Sequence, residues 1–265
     1  MKKNSVESFH NKFSNERVFV IGNGPSLRKT PLDLLVNEYS IAMNRISLLY
    51  SSTRWRPSFF VCTTSNIKKP DWRRDILKTI DLGVDTFVWE KLKNFVGERE
   101  NVNYLNCSHG REVSDDPPLD WWSYDISKRV CKFGTSMLVA LQIVVYLGFN
   151  EIYILGADLG YIKTFPQKLL THKQVKRLLE VVGIDQQKRD RLYQRLDKNH
   201  FDSKYGTPGF PPHVLNRNMI GAHKLAKTAS ERIGVKINNA TLGGNLDVYP
   251  RANLFHVLPS SRDEV

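Results

Sequence analysis

Short apolar runs closed by small polar residues recur along this chain. Arg17-Val-Phe-Val-Ile21 is β-branched and aromatic and runs into Gly22-Asn-Gly-Pro-Ser-Leu27, which predicts a buried strand and a tight turn. Similar runs predict strands at 40–43, 58–62, 86–89, 102–105, 151–155 and 235–238. Residues 32–36 read as a short helix, and 71–80 and 218–233 as longer ones. Residues 136–147 are apolar nearly all round, so they predict a buried helix, with Gly148 as its left-handed cap. The strand at 151 follows at once, as in the second half of a parallel crossover. Residues 106–132 show no period and read as irregular. Residues 163–198 are rich in Lys, Arg, Gln and Leu with a partial helical period, and read as a helical insertion over the sheet's edge.

Strands alternating with helices predict an α/β fold with a mostly parallel sheet. The polar first residues predict a loose arm over 1–16. Residues 17–162 and 214–250 then form the main domain, and 163–213 the insertion and lid. In open parallel sheets ligands bind beyond the carboxyl ends of the strands. Those ends carry Gly22-Asn-Gly-Pro-Ser-Leu27, Asn44-Arg45, Thr63-Thr-Ser-Asn66, Asn106-Cys-Ser-His109, Gly156-Ala-Asp158 and Asn239-Ala-Thr241. Six polar, small-residue ends together predict a ligand-sized crevice.

Within it, Gly22 and Gly24 allow close backbone approach, and the N–H groups around Asn23 and Ser26 suit a phosphate. The same segment also reads as a plain strand-to-helix turn. Asn44 and Ser65 offer an amide and a hydroxyl at the next two strand ends. Thr135 and Ser136 either cap the apolar helix or hold a phosphate or sugar at its start. Asp158 is suited to a ribose or a metal, but has no second carboxylate nearby in sequence, so no metal site is expected. His200, with Asp202 and Tyr205 close by, is the best general-base candidate, against the plainer reading of a surface histidine. His213 is its rival. His223, among apolar helical neighbours, reads as structural.

Composition narrows the field. The 265 residues allow one large domain or two small ones. Three scattered cysteines are too few for a disulfide framework, which predicts a reducing, cytoplasmic setting. Met1-Lys2-Lys3 has no apolar stretch after it, so no secretory signal is expected. The net charge of +12 attracts polyanions: phosphate-bearing substrates, an anionic membrane surface, or nucleic acid. No nucleic-acid-binding motif accompanies it, so nucleic acid is not the expected partner.

The segments at 18–27, Met43-Asn44-Arg45, Gly134-Thr-Ser-Met137 and 147–158 resemble, in order, the bacterial oligosaccharide sialyltransferase family. The Gly-Pro-Ser-Leu loop is also shared with proteins similar to hydroxymethylpterin diphosphokinase. The first resemblance implies a Rossmann-like domain with a small lid, and a nucleotide-sugar donor, CMP-linked and acidic. It implies direct displacement without metal or cofactor, onto a glycan or glycolipid acceptor. The basic surplus suits anionic donors and peripheral contact with an anionic membrane, and oligomerisation is left open. Asn23, Asn44 and Ser136 would hold the nucleotide, His200 would be the base, and Tyr161 and Tyr205 would donate to the leaving phosphate. The second implies ATP, magnesium and diphosphoryl transfer, but Thr63-Thr-Ser-Asn66 stands where acidic metal ligands belong. A third reading is a nucleotide- or nucleic-acid-binding protein without catalysis.

Overall fold

The computed structural model describes residues 5–109, 118–132, 135–160, 199–205 and 212–258, with 177, 181–183 and 188. Seven strands make one parallel sheet: β1 (Arg17–Ile21), β2 (Ser40–Met43), β3 (Phe59–Cys62), β4 (Asp85–Trp89), β5 (Val102–Leu105), β8 (Glu151–Leu155) and β9 (Lys236–Asn239). Their order is β5-β4-β3-β2-β1-β8-β9. This is the parallel α/β sheet that the alternation of runs predicts, and the Rossmann-like arrangement that the resemblance implies. β1, β2 and β3 are buried at nearly every position, as strands covered on both faces must be.

The chain leaves β1 toward β2 and on to β5, then returns to place β8 on β1's other side, in register from Arg17 opposite Glu151 to Ile21 opposite Leu155. The order therefore reverses at β1 and β8, where a crevice opens in such sheets.

The described helices longer than one turn are α1 (Pro70–Ile80), α3 (Ser136–Tyr146) and α4 (Pro212–Glu231); α2 (Lys93–Val96) and α5 (Leu254–Val257) are single turns. α3 lies against β1, β2 and β3, and α4 against β9 and α3. Ten of the eleven α3 residues are buried, as its all-round apolarity demands. One of them is polar: Gln142 accepts from the N–H groups of Ser123 and Cys131, both at 3.1 Å, and donates to the carbonyls of Cys131 (2.8 Å) and Leu138 (3.0 Å). A fully buried amide with all four of these bonds made costs little and ties the preceding segment to the helix.

Three expectations change. Residues 106–132 contain two short strands, β6 (Cys107–His109) and β7 (Val130–Lys132), paired in parallel beside the main sheet. Three-residue strands are too short to show a period. α4 begins at Pro212, six residues before the apolar spacing does, on a proline suited to a helix's first turn. Residues 5–16 are fastened rather than loose. Phe9 is buried edge-on to Phe87, Phe13 stacks on Phe149, and the N–H groups of Asn11 and Phe13 donate to the carbonyls of Tyr146 and Leu147. Most of the 163–198 insertion lies outside the described residues.

Candidate functional site

The carboxyl ends of β1 and β8 stay locked together past the strands. Gly22 N–H donates to the Leu155 carbonyl at 2.7 Å and Gly24 N–H to the Gly156 carbonyl at 2.8 Å. A β-carbon at Gly22 would overlap the Gly156 carbonyl oxygen and stand 2.9 Å from Met137 Cε. One at Gly24 would overlap Asp158 Oδ2 and stand 2.7 Å from the Gly156 oxygen. The close approach these glycines allow is therefore made by the chain itself.

Asp158 completes the contact. Its carboxylate accepts from the Ser26 N–H (3.1 Å to Oδ1) and the Ser26 hydroxyl (2.8 Å to Oδ2). Burial raises its pKa, and the Ser26 bonds pull the other way. The donors of Ser26 thus meet an anion that belongs to the protein, which makes the plain-turn reading of this loop the one with visible partners.

Asn23 is different. It is buried, and Nδ2 donates to the Met43 carbonyl at 3.3 Å, but among the described residues Oδ1 has no hydrogen-bond partner. Asn44 sits at the end of β2 with φ +56°, a backbone state asparagine tolerates better than most side chains. Its Oδ1 accepts from the Ser136 hydroxyl at 3.4 Å, and Ser136 shares a 2.9 Å hydrogen bond with Thr63 at the end of β3. Thr135 caps α3, accepting from the Met137 N–H at 3.2 Å. Ser65 is exposed on the single turn Ser65–Lys68.

Residues 199–205 form a strap over these loops. Phe201 N–H donates to the Asn23 carbonyl at 3.1 Å. Arg28 donates to the carbonyls of Phe201 (2.6 Å) and His200 (3.3 Å), and Arg45 to those of Tyr205 (3.2 Å) and Lys204. His200 and Tyr205 are both buried, with rings stacked at 4.0 Å and 15°. Tyr205 meets Trp72 edge-on at 5.2 Å. His200 is therefore not the surface histidine of the plainer reading. Asp202, proposed to orient it, uses Oδ1 to accept the Lys204 N–H at 2.7 Å.

The structure thus gathers Gly22, Asn23, Gly24, Ser26, Asn44, Ser136, Asp158, His200 and Tyr205 at one end of the sheet. Tyr161 and the side chain of His213 lie outside the described residues. His223 is far from surface chemistry: it is buried, its Nδ1 is 3.0 Å from the Tyr249 hydroxyl, and burial lowers its pKa to about 4.

Sequence reasoning missed two cations here. Arg45 is 2% exposed and binds Asp75 through Nε at 2.8 Å and also through Nη2. Its position directly after Asn44 was the available signal. Lys132, at the end of β7, donates to the Thr63 carbonyl and lies 4.2 Å over the Trp89 ring. It stood in a stretch without periodicity, so nothing in the sequence placed it on a strand end.

Among the described residues, no three His, Cys, Asp or Glu side chains gather as a metal site. A cavity of about 380 Å³ lies at the opposite, amino end of the sheet, lined by Arg17, Glu38, Tyr39 and Glu151 among others. Three of its charged groups already have partners: Arg17 binds Glu38 at 2.5 Å and Tyr153 donates to Glu151 at 2.6 Å.

No family model matches the chain, and no curated protein matches it. Among solved structures it is similar to the sialyltransferase CstII from Campylobacter jejuni in complex with the substrate analogue cytidine-5'-monophosphate. Identity is 13% and the TM-score 0.47, over 90% of this chain and 85% of that one. A second structure of sialyltransferase CST-II, with trisaccharide acceptor and CMP, gives 13% and 0.45 over 94% and 89%. The MAf glycosyltransferase from Magnetospirillum magneticum AMB-1 gives 13% and 0.47 over 94% of this chain but 37% of that one, so this chain spans little more than a third of its length.

Proposed function

We propose that this chain is a glycosyltransferase that takes a nucleotide-activated acidic sugar at the carboxyl ends of β1, β2 and β8. The observation that carries the location is Asn23 Oδ1, a buried acceptor without a partner among the described residues, at the point where strand order reverses. Leaving such an oxygen unsatisfied costs about 1–3 kcal/mol. A ligand donor, such as the amino group of a nucleobase or a ribose hydroxyl, would remove that cost. The strap backbone lies on Asn23, so admitting a ligand requires residues 199–205 to shift. The choice of transfer chemistry rests on the ordered motifs of the sequence.

In this reading the acceptor hydroxyl attacks the anomeric carbon as the bond from that carbon to the donor's phosphate oxygen breaks. His200 takes the hydroxyl proton, and its stack on Tyr205 fixes the plane of the ring. The nucleotide monophosphate leaves with the bonding electrons, and hydroxyls of Ser136 and Tyr205 are the donors available to it.

The test is a thermal-shift panel of CMP, UDP, GDP and ATP with magnesium, on wild type and Asn23→Leu. A ligand at about 100 times its Kd adds about 2.7 kcal/mol. CMP should give the largest shift in wild type. Asn23→Leu should lose that shift, with a ligand-free melting temperature close to wild type, because removal of the orphaned oxygen offsets loss of the Nδ2 bond to the Met43 carbonyl. A largest shift with ATP and magnesium, or an undiminished CMP shift in the variant, would overturn the reading.

A further inference from the structure

Lys132 is a cation to which the described residues supply no counter-charge. Its ammonium sits between the Thr63 carbonyl and the face of Trp89, at the ends of β3 and β4. Burial lowers its pKa, and the groups acting against that are the thiols of Cys107 and Cys62, whose own pKa values burial raises to about 12. These thiols are neutral near pH 7. Among the described residues no carboxylate acts on Lys132. Among the described residues, a partly buried lysine facing a carbonyl and a ring is a cost without an evident return.

What lies around it makes the return intelligible. The same Thr63 that accepts from Lys132 shares a hydrogen bond with Ser136, the first residue of α3, and Ser136 reaches Asn44. α3 is eleven residues long, and its N-terminus carries a partial positive charge. Asn23, with its unpartnered Oδ1, bonds the Met43 carbonyl one residue before Asn44. Lys132, Thr63, Ser136, Asn44 and Asn23 therefore run in sequence from β7 around the helix start to the end of β1.

We propose that Lys132 is the anion-binding residue of this site: its ammonium, held by Thr63 and Trp89 beside the start of α3, pairs with the acidic group of the ligand. The chemistry it recognises is a phosphate or carboxylate oxygen. The phosphate of a nucleotide and the carboxylate of an acidic sugar both supply one. This deepens the proposed function, and it rests on that reading only for the identity of the molecule carrying the anion. Lys132 is a binding residue, and it takes no proton from the substrate.

Lys132→Gln separates charge from packing, because a glutamine amide can still donate to the Thr63 carbonyl. Wild type, Lys132→Gln and Lys132→Arg are titrated calorimetrically with CMP, cytidine, inorganic pyrophosphate and free N-acetylneuraminic acid at constant low salt. Wild type should bind pyrophosphate, and Lys132→Gln should bind it about 10–100-fold more weakly, the span of a charge-assisted hydrogen bond. Lys132→Arg should retain most of the affinity. If the phosphate is the partner, CMP should weaken in Lys132→Gln while cytidine does not. If the carboxylate is, the free acidic sugar should weaken instead.

Lys132-dependent pyrophosphate binding without CMP binding would uphold this inference while ending the nucleotide reading. CMP binding with equal affinities for every anion in wild type and Lys132→Gln would overturn this inference and leave the nucleotide reading standing. Failure of wild type to bind any anion would also overturn it. Should Lys132→Gln not fold, the Lys132 Nζ resonance of wild type gives the same answer, since its pKa should rise on adding pyrophosphate and stay fixed if no anion pairs with it.

Discussion

Position 24 has no room for a methyl group. A β-carbon there would overlap a movable atom, Asp158 Oδ2, and approach an immovable one, the Gly156 carbonyl oxygen, at 2.7 Å. Overpacking of this kind costs about 1–3 kcal/mol. Gly24→Ala should therefore lower the melting temperature in the absence of any ligand, and should lower it less when made in an Asp158→Ala background, where the carboxylate half of the clash is absent. A single variant as stable as wild type would show that the two loops are not held as close as described. The Gly-Asn-Gly-Pro-Ser segment was legible as a close-approach turn, because glycine pairs carry that signal in any context. What approaches was not legible, since Asp158 lies 132 residues away in sequence and nothing local points from one to the other. The orphaned Asn23 Oδ1 was hidden for the same reason: satisfaction is a property of the surroundings, which the chain's linear order does not reveal.

At the scale of elements, the strap at 199–205 is held to β2 and α1 by one guanidinium. Arg45 spends Nε and Nη2 on Asp75, meets Asp71 at 3.3 Å, and turns Nη1 to the carbonyls of Tyr205 and Lys204. Removing one member of a buried pair leaves the other charge stranded, at about 3–5 kcal/mol, whereas replacing both by apolar groups is often neutral. Arg45→Met should be destabilised by that amount in urea denaturation. Arg45→Met with Asp75→Leu should recover most of it, yet trypsin should cut at Lys204 faster in both variants than in wild type, because neither can hold the strap's carbonyls. Equal cleavage in all three would mean Arg28 and the Phe201 bond suffice. The long elements were readable because β-branched runs of four or five residues and an apolar helix signal themselves. β6 and β7 were not, being held by partners such as Gln142 that a local pattern cannot contain.

At the scale of the whole molecule, parallel order could be expected from alternating runs, but the outcome at the N-terminus could not. Residues 5–16 are mostly polar, and two aromatic side chains among them, Phe9 and Phe13, decide that the segment docks. Among the described residues no helix is long and apolar enough to cross a membrane. Helix α4 holds a titratable group that ties stability to pH. His223 on α4 is buried beside Tyr249, whose hydroxyl donates to the His223 carbonyl at 3.0 Å and so accepts from Nδ1. The neutral ring therefore carries its proton on Nδ1, and a second proton would place a charge in the interior.

Its pKa is lowered from 6.5 to about 4 by burial, so between those values the unfolded chain binds a proton that the folded chain does not. Stability from this group is complete above pH 6.5 and declines as pH falls toward 4, below which both states are protonated. At about 1.4 kcal/mol per pH unit, the full loss is about 3 kcal/mol. Carboxylates add their own slopes. Asp125, lowered to about 2 by Ser127 and Lys128, loses its contribution only at more acid pH, and Asp158 and Asp85, raised by burial, act in the opposite sense. All of them are common to wild type and to His223→Gln, so the difference between the two curves isolates the histidine. Urea denaturation at pH 8, 6, 5 and 4 should show wild type losing about 3 kcal/mol more than His223→Gln across that range. Parallel curves would mean that His223 takes up its proton in the folded protein as readily as in the unfolded one.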